Sequence, residues 1–453
     1  MFKSSRRFYR QKQRRVSSPM IALLAIPLAL IVLEVAMRAI AIVTNQQADI
    51  AAYEGEAQIV TAYRLKFFGA DRQPYDGFPS RGRLVATRKS LLGYELASNQ
   101  QTSFWKINEQ GFRADAPLPL AKPKGEFRIF VLGGSTAFGQ LSSNNRTTFA
   151  SKLETLLNDR VAQQKSNPER FRPDVLPYFK EEVDKVLARP ARIRDGKYRV
   201  INAAVPGYAS GNELTQLMLQ VAAYKPDMLI VVDGYTDLTL PSDQMGADIP
   251  GTDDLLENAP HHLYQNITQD ISTWVRQLYL IKGTQYWLLR PQQSAAQTNL
   301  VTGDQQSLAE QIVSADAEEM KKRFDRYRQN VQQMANYATA AKIPIILALQ
   351  PEITGRKSKL LAPEQAILQQ LGPTYRDRIT QGYTALEQQA KQVQQGKPNV
   401  RVLNLYGLYA DFPGQAFHDT IHLTDEANTV LADQLYTSVT SFLQIQPRPS
   451  LEP

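Results

Sequence analysis

Two short segments of this chain carry side chains that could take part in one reaction. Ser135 follows two glycines in the segment FRIFVLGGSTAFG, and Asp419 lies three residues before His422 in the segment FHDTIHLT. A serine hydroxyl is a weak nucleophile until a base removes its proton, and histidine is the usual base. An Asp three residues before a His in a turn can accept the Nδ1–H of the imidazole, which leaves Nε2 to face the serine. These residues predict nucleophilic catalysis by Ser135, with His422 as the base.

The few histidines and the absence of cysteine restrict the alternatives. The chain has no cysteine and four histidines, which are His261, His262, His418 and His422. Without cysteine, no disulfide, thiolate zinc site, iron–sulfur cluster or cysteine nucleophile is possible. A simpler interpretation stays open on these residues alone. The Gly-Gly-Ser turn can be a structural corner or a phosphate-binding turn, and Asp419 can serve only to cap a turn.

Two further segments offer hydrogen-bond donors for an oxyanion, which acyl transfer requires. Gly207 in NAAVPGYAS allows close backbone approach, so its N–H can point into a site. Thr236 in VVDGYTD can donate its hydroxyl. Taken singly, each segment is also an ordinary turn between a strand and a helix. Together with the other two segments, they give four strand ends with residues suited to one reaction.

An alternating strand–helix pattern would bring these four segments together. Runs of β-branched and aromatic residues predict five strands, at 127–131, 197–205, 227–234, 342–351 and 400–408. Apolar periodicity predicts helices after Thr147 and at 212–224, 308–341, 363–394 and 425–443, the last with Thr424 as a suitable N-cap. Such alternation predicts a parallel sheet covered by helices on both faces. The carboxyl ends of parallel strands share one edge, so the four segments are expected at that edge.

The four segments resemble the sequence blocks of the SGNH, or GDSL-type, hydrolase family, in its membrane-anchored bacterial form. GGSTAFG is similar to the first block, INAAVPGY to the second, DGYTD to the third and DTIHLT to the fourth. The resemblance implies that Ser135 is the nucleophile and that Asp419 and His422 complete a catalytic triad. It also implies an oxyanion hole formed by the Ser135 backbone N–H, Gly207 and Thr236. The third block departs from the family pattern, because the family has Asn in the position of Thr236.

The resemblance covers about residues 91–443, with 239–304 poorly matched. It implies an α/β fold, a three-layer sandwich with a central five-stranded parallel sheet of the flavodoxin-like type. It further implies an esterase without cofactor or metal. From the extracytoplasmic location predicted by the N-terminal region, the expected substrate is an O-acyl group of a polysaccharide or a lipid ester. An acyltransferase with the same triad, or a binding or scaffold protein with weakened catalysis, would carry similar blocks. Thr236 bears on this choice, because its hydroxyl on a β-branched stem reaches less far than an Asn amide.

The N-terminal region predicts a membrane anchor. Residues 1–20 contain seven Lys and Arg and no acidic residue, and the rest of the chain has 45 basic and 44 acidic residues. The net charge of +8 is therefore local and does not indicate a nucleic-acid-binding surface. The apolar segment that follows would span about 36 Å as a helix, enough for a hydrocarbon core of about 30 Å. Basic residues before it and few after it predict a cytoplasmic N-terminus and an extracytoplasmic body.

Two charged residues interrupt the apolar segment. Glu34 and Arg38 are four residues apart, so they can pair on one helix face, and Arg38 can reach toward the headgroups. The alternative to a retained anchor is a signal peptide that is cleaved after Ala39-Ile40-Ala41, which would give a secreted protein. We favour a retained single-pass anchor in the cell membrane.

The predicted domain plan follows from these elements. It consists of a basic cytoplasmic segment at 1–19, a transmembrane helix at 20–43, an irregular lead-in at 44–126, an SGNH-like domain at 127–445 and a tail at 446–453. Insertions at about 165–195 and 239–304 interrupt the SGNH-like domain. The expected partners are the ester-bearing substrate and the membrane.

The second insertion contains two groups of residues that need an interpretation. Its acidic residues and histidines favour a solvated loop over a metal site; they are Asp253, Asp254, Glu257, His261 and His262. An aromatic-rich helical pair follows, containing Trp274, Tyr279, Ile281, Tyr286, Trp287 and Leu288. Core packing is the first interpretation of this pair, and a lid or a membrane-facing patch is the alternative.

Overall fold

The computed structural model describes residues 18–53, 57–69, 82–249, 275, 277–289 and 313–450. These residues belong to two compact units. One unit contains the described residues up to 53 together with those from 275 to 289. The other contains the described residues of 57–249 and 313–450.

The elements are numbered along the chain. The helices are α1 (Ser18–Val43), α2 (Gln47–Ala52), α3 (Gln58–Tyr63), α4 (Ser135–Phe138), α5 (Phe149–Ser166), α6 (Lys180–Leu187), α7 (Ser210–Leu219), α8 (Tyr235–Thr239), α9 (Tyr279–Thr284), α10 (Ala317–Ala340), α11 (Ala362–Gln394) and α12 (Asp425–Leu443). The strands are β1 (Leu65–Phe68), β2 (Leu84–Lys89), β3 (Gly93–Leu96), β4 (Gln100–Gln101), β5 (Lys106–Ile107), β6 (Glu126–Gly133), β7 (Lys197–Asn202), β8 (Met228–Asp233), β9 (Ile345–Leu349) and β10 (Val400–Asn404). A π-helical turn, Gln285–Leu289, directly follows α9.

Helix α1 dominates the first unit and is long and apolar enough to cross a bilayer. Its 26 residues extend over roughly 39 Å at 1.5 Å per residue. Within it, Ala25–Val43 has a mean hydropathy of 2.3. The predicted ion pair is confirmed, since Arg38 Nε lies 2.8 Å from Glu34 Oε1. One such helix near the N-terminus is compatible with either a signal anchor or a signal peptide.

The second unit is built around a five-stranded parallel sheet in the order β10-β9-β8-β6-β7. The five predicted strands and their parallel arrangement are thereby confirmed. Counted along the chain, this is the strand order of the flavodoxin-like folds, as the resemblance implied. In such a sheet, ligands bind at the carboxyl ends of the strands beside the point where the order reverses, which here lies between β6 and β8.

Helices cover both faces of the sheet. Helix α5 packs against α12 and β7, whereas α10 packs against both α7 and α11. The right-handed rule for parallel crossovers puts the first pair on one face and the other three helices on the opposite face, which gives three layers. Every residue of β8 and β9 is buried, as expected for central strands of a covered parallel sheet. The predicted bounds and N-cap of α12 are also confirmed, since Thr424 Oγ1 accepts the N–H of Ala427 at 3.2 Å.

The segment 44–126 differs from the irregular lead-in that we expected. Strands β1 and β2 pair in parallel and β2 and β3 in antiparallel fashion, so this segment forms a small sheet of its own. Buried and half-buried residues alternate along each of these strands over most of their length. The strands are only four to six residues long, which is too short for a period of two to stand out in the sequence.

The two insertions are described to different extents. The first contains α6 and a short turn of 3₁₀ helix at Pro168–Arg170. In the second, the suggested acidic and histidine cluster and Trp274 lie outside the described residues. The later part of its aromatic pair is described and forms α9 with the π-helical turn. The predicted helix at 308–341 is observed as α10, and residues 308–312 lie outside the described part of the chain.

Candidate active site

The turn that carries Ser135 joins β6 directly to the single-turn helix α4. Gly133 has a φ of 146°, and a Cβ there would lie 2.2 Å from the carbonyl oxygen of Val232 and 2.5 Å from Cβ of Ala137. Only glycine fits at this position, because neighbouring backbone and α4 occupy the space of any side chain. Ser135 is half-buried, whereas the residues that follow it in α4 are buried. The turn therefore leaves Ser135 accessible while the rest of α4 lies in the core.

Buried side chains fix the other end of α4. Arg113 Nη1 donates to the carbonyl oxygens of Phe138 at 2.9 Å and Gly139 at 2.7 Å. Asn202 Nδ2 donates to the carbonyl oxygens of Ala137 and Phe138. These bonds satisfy carbonyl groups that the end of a helix leaves without partners. Arg113 belongs to the 44–126 segment, so that segment supports the turn of Ser135.

Asp419 and His422 form a hydrogen-bonded pair in the loop before α12. His422 Nδ1 lies 2.5 Å from Asp419 Oδ2. The other carboxylate oxygen accepts the backbone N–H of Ile421 at 3.0 Å and of His422 at 2.8 Å. Burial by itself raises the pKa of Asp419, but the His422 imidazole and these hydrogen bonds outweigh it, so the pKa lies below its usual value. Asp419 is thus held as a carboxylate that orients the imidazole.

The second imidazole nitrogen of His422 is available. Within the described part of the chain, His422 Nε2 is buried and makes no hydrogen bond. A buried polar nitrogen without a partner is uncommon in a folded protein and calls for an explanation. A group on a bound substrate or on Ser135 would supply one.

Hydrogen bonds between neighbouring residues bring the Ser135 turn and the His422 loop together. Thr136 Oγ1 donates to the carbonyl oxygen of Ile421 at 3.1 Å and accepts from Gln350 Nε2 at 2.9 Å. The residue after Ser135 is therefore bonded to the residue before His422. Sequence reasoning missed Thr136 and Gln350, although Gln350 is a polar residue at the end of the fourth predicted strand.

The segments of Gly207 and Thr236 both approach Gly134, the residue before Ser135. A Cβ on Gly134 would lie 3.1 Å from the carbonyl oxygen of Tyr208, next to Gly207, and 3.6 Å from Thr236 Oγ1. Gly207 has a φ of 88°, which favours glycine. Gly207, Thr236 and Ser135 are each half-buried between buried neighbours. The three predicted oxyanion donors thus come from turns that meet around Gly134.

A buried carboxylate connects two of these turns. Asp237 accepts the backbone N–H of Ser210 at 3.0 Å and the Ser210 hydroxyl at 2.6 Å. Asn330 Nδ2 donates to the same hydroxyl at 2.9 Å, and Arg326 donates to the Asp237 carbonyl oxygen. These contacts fix the start of α7, just after Gly207, relative to α8, which contains Thr236. The sequence marked Asp237 only as the last residue of DGYTD.

A second buried network lies behind the site. Tyr375 donates its hydroxyl to Glu352 Oε1 at 3.1 Å and lies 3.2 Å from the hydroxyl of Tyr235, which precedes Thr236 in α8. Glu352 also accepts the backbone N–H of Thr354 at 2.7 Å. Burial raises the pKa of Glu352 to about 7, although the hydrogen bonds from Thr354 and Tyr375 act in the opposite direction.

This shift predicts how stability changes with pH. The folded chain keeps the Glu352 proton up to about pH 7, while the unfolded chain releases it near the usual pKa of 4.5. Stability should therefore fall as the pH rises through this window, by about 3 kcal/mol for this one group. The free energy of unfolding can be measured by urea denaturation at several pH values. In the Glu352→Gln variant, it should no longer show the fall that Glu352 causes between about pH 4.5 and pH 7. An unchanged slope between pH 5 and pH 7 would contradict the assignment.

A cavity in the same unit does not coincide with these residues. It has a volume of 620 Å³, and its lining includes Arg88, Gly93, Asn212, Met245 and Asp248. None of the five predicted site residues lines it. A cavity without the groups that the reaction requires is not assigned to the reaction.

Comparisons with known proteins found similarity to solved structures. No protein-family model matches this chain, and no curated protein matches it. It is similar to the solved structure of an acetyl xylan esterase, with 11% identity over 69% of this chain and 100% of that chain and a TM-score of 0.33. A lipase/acylhydrolase from Enterococcus faecalis has 14% identity over 71% of this chain and 98% of its own, with a TM-score of 0.32. A GDSL-like lipase from Bacteroides thetaiotaomicron has 11% identity over 69% of this chain and 88% of its own, with a TM-score of 0.30.

Thr236 gives a prediction that separates a catalytic hydroxyl from a structural one. Thr236→Val keeps the shape of the side chain but removes the donor, so kcat should fall about 100-fold with little change in KM. Thr236→Ser should keep most of the activity. Thr239→Val is the matched control, because the Thr239 hydroxyl donates to the Thr236 carbonyl oxygen within α8 and is not one of the predicted oxyanion donors. If Thr236→Val leaves kcat unchanged, the hydroxyl is not an oxyanion donor.

Proposed function

We propose that this chain is a membrane-anchored, extracytoplasmic serine esterase with Ser135, His422 and Asp419 as its catalytic triad. The observation that carries the proposal is the buried His422–Asp419 pair, whose Nε2 has no partner among the described residues. This pair is connected to the turn of Ser135 through the Thr136–Ile421 hydrogen bond.

The geometry supports a two-step acyl transfer. Ser135 Oγ attacks the ester carbonyl carbon while its proton passes to His422 Nε2, and Asp419 stabilises the resulting imidazolium. The tetrahedral intermediate breaks its bond to the alcohol oxygen, which takes the proton from Nε2, and leaves an acyl group on Ser135. Water then attacks the acyl-enzyme with His422 again as base. Collapse of the second intermediate releases the carboxylic acid and restores the Ser135 hydroxyl.

The negative charge on the carbonyl oxygen needs fixed donors during both steps. We assign this role to the backbone N–H groups of Ser135 and Gly207 and to the Thr236 hydroxyl. The buried hydrogen bonds that Ser210 donates to Asp237 support this assignment, because they hold the turns of Gly207 and Thr236 at a fixed separation. Donors that are already in place need no reorganisation when charge develops.

The substrate class follows from the proposed location. We propose that the body of the chain lies outside the cytoplasm, because seven basic residues precede α1 and few follow it. An O-acyl group on an extracytoplasmic polysaccharide, or a lipid ester, is then the accessible ester. We further propose that the anchor is retained, since the apolar part of α1, Ala25–Val43, has 19 residues and is longer than the h-region of a signal peptide, which has about 7–15.

Ester hydrolysis by the full-length chain in detergent tests this proposal. The panel contains p-nitrophenyl esters from acetyl to dodecanoyl, and O-acetylated xylan with acetate release as the readout. Preferred cleavage of short acyl esters and release of acetate would assign the site to polysaccharide O-acyl groups, whereas preference for long acyl chains would assign it to lipids. No hydrolysis of any member above the rate in buffer would contradict the proposal.

A further inference from the structure

Helix α1 contains a charged residue that its apolar surroundings do not explain. Most neighbouring side chains on α1 are apolar and well exposed, including Leu30, Ile31, Leu33 and Val35. The side chain of Glu34, by contrast, is only 14% exposed. A carboxylate within a membrane-spanning helix is costly unless it is paired or hydrogen-bonded. Something in the first unit must therefore cover Glu34.

Glu34 is covered by α9, which belongs to the second insertion. Its two carboxylate oxygens accept the backbone N–H of Tyr279 at 3.0 Å and of Leu280 at 2.8 Å. The third donor is Arg38 Nε. The first N–H groups of a helix have no partner within that helix and need one elsewhere, above all in a medium without water. Glu34 and the start of α9 thus satisfy each other's polar groups.

The contact continues along one face of α1. Met37 and Ala41 follow Glu34 at helical spacing on this face, and Ala41 is completely buried. A Cβ on Gly283 in α9 would lie 2.3 Å from Met37 Cε, so Gly283 directly faces the Met37 side chain. We call the segment Tyr279–Leu289 the insertion helix. Its first part, α9, packs along the last turns of α1.

The outer part of this contact has the residue types found where a bilayer meets water. The Arg38 guanidinium lies 4.8 Å from the ring centre of Tyr279. Trp287 Nε1 donates to Gln46 Oε1 at 2.7 Å, and Lys282 Nζ donates to the Ala51 carbonyl oxygen at 2.7 Å. Trp, Tyr and basic side chains with an apolar body and a polar tip are enriched at that depth.

We propose that the insertion helix is a second membrane-contacting element, which lies beside the outer part of α1 at the boundary between acyl chains and headgroups. The bilayer is its partner, and lipid covers the faces of Leu280, Ile281 and Tyr286 that α1 leaves half-buried. Glu34 precedes the end of α1 by nine residues, or about 13 Å along the helix. The insertion helix therefore begins within the acyl-chain region and reaches the boundary at Trp287, which bonds to Gln46 just after α1. This inference rests on the proposed retention of α1 in the membrane, and it is independent of the esterase activity.

Single-cysteine labelling tests the depth, because the chain contains no native cysteine. The full-length chain in nanodiscs of phosphatidylethanolamine and phosphatidylglycerol carries a nitroxide at one position: Ile281→Cys, Leu30→Cys in α1, or Leu219→Cys, which is exposed on α7. For the nitroxide at position 281, oxygen should enhance the electron-spin relaxation more than a water-soluble nickel chelate does, as for the nitroxide at position 30. The reverse order at Ile281, as at Leu219, would overturn the inference. A water-exposed signal at Leu30 would show instead that the anchoring proposal itself has failed.

Disulfide formation tests the contact without relying on depth. In the Met37→Cys/Gly283→Cys variant, copper phenanthroline oxidation in isolated membranes should give a linked pair of tryptic peptides in mass spectrometry. Val35→Cys/Gly283→Cys is the matched control, because Val35 is exposed on α1. Equal yields from the two variants would overturn the packing of the insertion helix on α1.

Discussion

Ser135→Ala is expected to lower kcat for ester hydrolysis by a factor on the order of 10⁵–10⁶. The variant loses the proposed nucleophile, so the covalent step cannot occur, while the backbone donors proposed around Gly134 remain. Substrate binding should therefore change much less than turnover. The measurement is kcat and KM for p-nitrophenyl acetate, compared with the rate of the reaction in buffer.

Ser143→Ala is the matched control for this variant. Ser143 lies shortly after α4 and is exposed, and its contact with Asp425 is made by its backbone N–H. Its side chain can be removed without touching the site, so the activity should stay within about twofold of the wild type. A fully active Ser135→Ala enzyme would contradict the proposed nucleophile, whatever the control shows.

Asp419→Asn is expected to lower kcat by about 10⁴. One carboxylate oxygen of Asp419 accepts two backbone N–H groups, and the other faces His422 Nδ1. An Asn would keep its oxygen toward the backbone donors and turn its NH₂ group to Nδ1. His422 would then carry its proton on Nε2, which is the wrong tautomer for a general base.

Two control variants show whether this loss reflects the tautomer. Asp425→Asn, in the first turn of α12, also removes one carboxylate charge near the site and should leave kcat within about threefold of the wild type. His418→Gln removes the neighbouring histidine, whose pKa burial lowers, and should keep most of the activity as well. A kcat for Asp419→Asn within tenfold of the wild type would show that Asp419 does not set the tautomer.

The sequence was sufficient to predict the central sheet because its signals are local. The strands read as continuous apolar runs, as expected for strands buried on both faces, and glycines or polar residues end them. The last helix was predicted with its N-cap because Thr424 and two acids stand just before a periodic apolar segment. The packing of the insertion helix could not be predicted from local signals, because it depends on Glu34, which lies more than two hundred residues earlier in the chain.

The sequence indicated which residues belong to the candidate site, but not the hydrogen bonds that connect its segments. Ser135, His422 and Asp419 could be named because few histidines exist and the blocks have a fixed order. The contacts that hold the site together could not be read in this way. Thr136 bonds to Ile421 across 285 positions, and Arg113 supports α4 from a segment that we expected to be irregular. Such bonds depend on tertiary packing and leave no periodic pattern in the sequence.

Labelling with a fluorophosphonate tests the central claim most directly, because this reagent phosphonylates a serine only when a neighbouring base activates it. The full-length chain in detergent should bind one equivalent, and peptide mass spectrometry should locate it on Ser135. The adduct should be absent from Ser135→Ala and strongly reduced in His422→Gln. An enzyme that hydrolyses esters without an adduct on Ser135, or with the adduct on another serine, would contradict the proposed mechanism.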